Sequence, residues 1–290
     1  SPFSLDPAIS TLRAKSANGI YDGCRSPGGG RRKELRIQIL RGPALSGKTE
    51  RLMAAMAEAH REDPTSYTFI APSPEEAASF AERFSRAVKG PVPAGNFVTL
   101  SKVAEDLHRL AHPGEVLLSR GVVNLLAADA FSDLPDEELG VFAPLRASPA
   151  FARSAAEAAW DLAIRGDAEM ADLLASEEAL NLARAVRRCV ERVRGRGVFD
   201  LADACRGFDP EGASGYLRER YGTRLFADGL ADLPGAEMGF LSRLMPLFED
   251  ATITLDPALW SRGGLEEFLA LLAERGFEEI ECHPRDEPLS

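Results

Sequence analysis

The sequence predicts an α/β protein whose parallel sheet is interrupted by a mainly helical insertion. Three observations carry that expectation. Between Leu35 and about His112, short β-rich apolar runs alternate with amphipathic helical stretches, the rhythm of strands joined by helical crossovers. Between Pro113 and Leu217 almost no strand signal remains. After residue 218 the strand–helix alternation returns. The chain therefore divides into an N-terminal extension (1–34), the first part of an α/β domain (35–112), a helical insertion (113–217) and the second part of the α/β domain (218–290).

The elements follow in order. Residues 1–34 are rich in Gly, Ser and Arg and lack periodicity, which reads as a flexible extension. Its basic cluster Arg31, Arg32, Lys33 reads as a solvated tail. In the first strand, Leu35, Ile37 and Ile39 alternate with Arg36, Gln38 and Leu40. A glycine-framed turn follows, and then Leu52, Met53, Met56 and Ala59 recur at helical spacing. "SYTFIAP" (66–72) is the second strand. Helix 73–88 has Ser73 as N-cap, Pro74 at its first position and Glu76 completing a capping box. "NFVTLS" (96–101) is the third strand, with Ser101 expected to cap the helix after it. The insertion has helical segments broken at Pro135, Pro144 and Gly195. Strands are then expected at 223–230, 252–257 and 277–284, with helices over 235–251 and 265–276.

Composition narrows the class. The chain has 290 residues, 45% apolar and 27% charged, which is globular rather than disordered. Its net charge of −11 means that any nucleic-acid face must be local, because the chain as a whole repels phosphate. Cys24, Cys189, Cys205 and Cys282 are far apart, without a C-x-x-C pair, which argues against a zinc or disulfide framework and fits a reducing cytoplasm. No apolar run is long enough for a membrane span.

The turn carries the most specific signal. Gly42, Gly47, Lys48 and Thr49 match G-x-x-x-x-G-K-[ST]. A loop that wraps an anion with its backbone N–H groups needs residues tolerant of unusual dihedrals, which Gly42 and Gly47 supply. Ser46 lies within the same loop. Lys48 is placed to reach the β/γ-phosphates of ATP, and the Thr49 hydroxyl to ligate Mg²⁺. The helix that starts there presents its free N–H groups and positive dipole end. The motif sits at a strand–turn–helix junction, the context it requires.

The order of features resembles the N-terminal part of the B subunit of the AddAB (RexAB) helicase–nuclease, built on a RecA-like, superfamily-1 helicase-like P-loop frame. "GPALSGKT" (42–49) resembles that family's phosphate loop, and "YTFIAPSPEEAASFAERF" (67–84) its next strand and helix. "FVTLSKVAEDLHR" (97–109) is similar to its Thr/Ser-bearing strand, and "LFADGLADLPGAEMGFLSRL" (225–244) to its "DGF…E…L" segment, followed by "ATITL". The resemblance spans about residues 35–282. It implies a double-strand-break repair subunit that binds ATP and Mg²⁺, contacts single-stranded DNA through Thr99 and Ser101, and works with a UvrD-like A subunit in the cytoplasm. Family members are longer and end in a second helicase-like half and a nuclease domain with an iron–sulfur cluster. This chain carries neither a nuclease motif nor cluster-spaced cysteines. It is therefore expected to be a fragment.

Hydrolysis needs an acid at the end of a strand beside the phosphate loop, and a group that orients the attacking water. The strand ending at Asp228 is expected there, with Asp228 on Mg²⁺. Gly229 stands where active helicases place a catalytic Glu, and Asp232 could substitute only if the loop folds back. Asp228-Gly229 also reads as an ordinary strand-end turn. The expectation is nucleotide binding with weak or absent turnover. Trp160 and Trp260 read as core residues. His60, His108, His112 and His283 show no catalytic grouping. Two other classes stay open: a free-standing P-loop kinase with a lid drawn from Arg184, Arg187, Arg188, Arg192, Arg194 and Arg196, and a nucleotide-independent interaction scaffold.

Overall fold

The computed structural model describes residues 36–115, 117–151, 153–155, 191, 199–231, 233–273 and 276–283. The N-terminal extension and much of the insertion, with Trp160, Cys24, Cys189, Asp232 and the six arginines at 184–196, lie outside the described residues.

The strands are β1 (Arg36–Arg41), β2 (Tyr67–Ala71), β3 (Phe97–Thr99), β4 (Arg224–Ala227), β5 (Asp250–Leu255) and β6 (Glu278–Glu281). They form one six-stranded sheet in the order β3-β2-β4-β5-β1-β6, and every pairing is parallel. The helices of the first half are α1 (Lys48–Glu62), α2 (Pro74–Val88) and α3 (Leu100–Ala111). In the insertion they are α4 (Arg120–Ser132), α5 (Asp136–Leu139), α6 (Leu201–Arg206) and α7 (Pro210–Tyr221), followed by α8 (Gly235–Leu244) and α9 (Arg262–Ala273).

Period-2 alternation divides the core into two layers. Ile37 and Ile39 of β1, Leu225 of β4 and Ile253 of β5 face a cluster built with Val103 and Leu107 of α3, Leu241 of α8 and Phe268 of α9. Leu40, Phe69 and Phe226 face the other cluster, with Leu52 and Met56 of α1 and Phe80 and Phe84 of α2. Both faces of the sheet are thus covered, as parallel sheets require.

The helical insertion does not end cleanly at residue 217. Cys205 of α6 and Leu217 and Tyr221 of α7 are buried in the first of these clusters, so its last two helices belong to the main core. Phe131, Leu134 and Leu139 form a smaller cluster of their own. The two chain segments that bound the insertion meet where Leu117 bridges Phe199 and Leu118 N–H donates to Phe199 O at 3.0 Å.

Three local expectations are corrected. The helix after β3 is capped by Thr99, whose side chain accepts from Lys102 N–H at 3.1 Å; Ser101 is already helical. The expected helix 235–251 stops at Leu244, because Pro246 lacks the N–H that would continue it; a single 3₁₀ turn (Met245–Leu247) leads into β5. The strand ending before Asp228 is not next to β1, which leads into the loop 42–49. β5 lies between them, since helical crossovers free strand order from chain order. By contrast, helix α2 begins as expected, with Ser73 accepting from Glu76 N–H at 3.1 Å and Pro74 in the first turn.

Candidate functional site

The loop 42–47 leaves the C-terminal end of β1, deep between two neighbours. Gly42 N–H donates to Leu255 O of β5 at 3.0 Å, and Arg41 O accepts from Cys282 N–H at 2.6 Å. A Cβ on Gly42 would stand 2.4 Å from Cys282 O and 2.5 Å from Ser46 Oγ, so only glycine fits. Gly47 closes the loop in the left-handed region (φ 78°) and is the N-cap of α1 without a side-chain capping bond. Leu45 is left-handed as well (φ 63°) and 90% exposed, a strained backbone held by the residues on either side.

The loop turns its polar groups inward. Ser46 is buried, and its Oγ has no hydrogen-bond partner among the described residues. Lys48 is the first residue of α1 and is buried, an unusual state for lysine. Its Nζ donates to Pro43 O at 2.7 Å and lies 3.4 Å from Asp256 Oδ2. Thr49 follows, half-buried, on the first turn. The segment 46–48 thus combines a buried ammonium, a buried hydroxyl without a hydrogen-bond partner among the described residues, and a helix start without a side-chain cap.

Asp256 is the residue that reading the sequence missed. It follows the last residue of β5 and caps the next turn, its Oδ1 accepting from Ala258 N–H at 3.1 Å. The signal was present: "TITLDP" ends a strand in an acid, as "RLFAD" does. Because β5 and not β4 adjoins β1, Asp256 rather than Asp228 meets Lys48. Asp228 sits one strand further out, where its Oδ1 accepts from Thr254 Oγ1. It lines a cleft of about 160 Å³ with Ala71, Pro72, Arg83 and Gly229. Gly229 has φ 73°, so any side chain there is strained.

Thr99 and Ser101 lie elsewhere on the same sheet edge. β3 is four positions from β1, about 19 Å at the usual strand spacing. Thr99 is buried, and its hydroxyl serves as a helix cap while contacting Ser101 Oγ at 2.9 Å. Trp260 is a core residue: it stacks on Phe268 and donates from Nε1 to Leu230 O at 3.1 Å. Among the described residues, no helix is long and apolar enough to cross a membrane. No protein-family model matches the chain, and a search of curated proteins found no match.

Proposed function

We propose that this chain binds Mg·ATP in the loop 42–49. On this reading it is the RecA-like, helicase-like portion of a cytoplasmic double-strand-break repair helicase–nuclease subunit, acting on DNA beside a UvrD-like partner. The observation that carries nucleotide binding is Lys48: buried at the start of α1, facing a loop with one buried hydroxyl left over. Gly42, Ser46, Gly47 and Lys48 hold the phosphates, and Thr49 is the first metal ligand. What supports the fit is the donor set: the buried Lys48 ammonium, the Ser46 hydroxyl without a hydrogen-bond partner among the described residues, and the start of α1 at Gly47. The DNA-repair assignment rests on the order of sequence segments, with Thr99 and Ser101 as its weakest part because the Thr99 hydroxyl is already engaged.

Turnover is slow on this reading. Asp228 is tied to Thr254, and the position after it is a left-handed glycine instead of an acid. An arginine delivered to the γ-phosphate contributes roughly 10³–10⁵ in rate in comparable enzymes. None is assigned here. A phosphate-release assay with and without single-stranded DNA, using Lys48→Ala as the blank, is expected to stay at background. Gly229→Glu alone should not raise it. DNA-stimulated, Lys48-dependent turnover of about 1 s⁻¹ or more, an ordinary enzyme rate, would overturn this reading.

A further inference from the structure

The last turn of α3 brings together three residues that the nucleotide site does not use. His108 and His112 are four apart and so share one helix face. The chain then doubles back: His112 N–H donates to His108 O at 2.8 Å and Glu115 N–H to His112 O at 3.0 Å. This returns the Glu115 carboxylate to both rings. Its Oε2 is 3.0 Å from His108 Nε2, and its Oε1 is 3.7 Å from His112 Nδ1. One donor atom from each residue lies within 4.8 Å of the other two.

The pair at 3.0 Å is not a satisfied hydrogen bond. His108 Nε2 and Glu115 Oε2 are both buried, and neither has a hydrogen-bond partner among the described residues. Burying such groups without an aligned hydrogen bond costs about 1–3 kcal/mol each. Two buried donor atoms that approach without aligning on each other are instead arranged around a shared point. A tetrahedral zinc ion, with bonds of about 2.0–2.1 Å to nitrogen and oxygen, holds its ligands about 3.3 Å apart. His108 Nε2 and Glu115 Oε2, 3.0 Å apart, stand close to that spacing; the 3.7 Å contact of His112 is to the other carboxylate oxygen, and one ligand atom from each of the three residues lies within 4.8 Å of the other two. The His112 ring, 44% exposed, has room to rotate and close the longest separation.

We propose that His108, His112 and Glu115 form a divalent-metal site of the zinc class. Two imidazoles and one carboxylate are a borderline N/O donor set, suited to Zn²⁺ rather than to the hard Mg²⁺ of the phosphate loop. Among the described residues three ligands are supplied, which leaves a fourth position for water. Both histidines line a cleft of about 240 Å³ with Leu107, Phe208 and Asp209, which gives that position an outlet. The site also sits where the insertion departs: Phe199, the partner of Leu117, packs its ring 5.7 Å from His108. The metal thus fastens the end of α3 to the base of the insertion.

The test is a titration of tag-free, chelator-stripped protein with Co²⁺ and then Zn²⁺, without nucleotide. One equivalent of Co²⁺ should produce visible ligand-field bands that Zn²⁺ abolishes, and Zn²⁺ should raise the melting temperature. His112→Ala and Glu115→Gln alter partly exposed side chains, and circular dichroism should show both folded. Each should weaken Zn²⁺ binding at least tenfold, about 1.4 kcal/mol. His283→Ala, at the exposed His283–Glu281 pair, should change nothing. The proposal is wrong if stoichiometric binding is absent, if both folded variants bind as the parent does, or if binding follows His283 instead.

Discussion

At the scale of single residues, the loop 42–49 is defined by what each side chain cannot do. Gly42 cannot carry a Cβ, and the Ser46 hydroxyl has no hydrogen-bond partner among the described residues. Lys48 is nearly buried and leans on Pro43 O and Asp256. The Lys48–Asp256 pair is nearly buried, with side-chain exposures of 11% and 10%. Removing one member of such a pair leaves the other charge uncompensated. Asp256→Asn should therefore destabilise the nucleotide-free protein, by up to about 3 kcal/mol, in a urea titration. The same change removes a carboxylate that repels phosphate, so metal-free ATP should bind severalfold tighter and raise the melting temperature further than in the parent. Unchanged stability together with weaker binding would show that Asp256 assists the phosphates instead of competing with them. The glycine–lysine–threonine spacing was legible in the sequence because the motif is local. Asp256 was not, because its partner lies 208 residues away and only the strand order joins them.

At the scale of elements, capping and periodicity carried most of the information. Ser73, Pro74 and Glu76 announced α2, and alternation announced β1, because each signal is complete within a few residues. Ser101 was expected as the cap of α3, but β3 ends at Thr99 in register with Ala71, so Thr99 takes that place. The His108–His112–Glu115 grouping had a signal, H-x-x-x-H-x-x-E, but its significance needed the turn that folds Glu115 back. Helix α8 supplies a pH test. Glu237 lies in its first turn, where the helix dipole favours a carboxylate, yet burial dominates and holds its carboxyl above the ordinary value of 4.5. The folded state then keeps its proton to higher pH than the unfolded chain. This contribution is fully present below the ordinary value and is lost as pH rises through the folded one. Glu237→Gln should be more stable than the parent at about pH 7, and the difference should vanish below about pH 4. Urea midpoints at the two pH values measure it; a gain that grows on acidification would reverse the assignment.

At the scale of the whole molecule, the α/β class and the parallel sheet followed from alternating strand and helix patterns. Strand order did not. Placing β5 between β1 and β4 is a choice made by packing: α1 covers Leu40 and Phe226 on one face while α8 and α9 cover Ile39 and Ile253 on the other. No local pattern encodes that pairing across more than 200 residues. Its consequence is functional, because it decides which acid faces the lysine. Everything proposed for the nucleotide depends on that lysine. The most direct test is calorimetric titration of the purified chain with Mg²⁺ and a non-hydrolysable ATP analogue, beside Lys48→Ala. The account predicts one site in the parent and a loss of well over tenfold in the variant, more than about 1.4 kcal/mol. Equal affinity in the two proteins, or no binding to the parent, would contradict it.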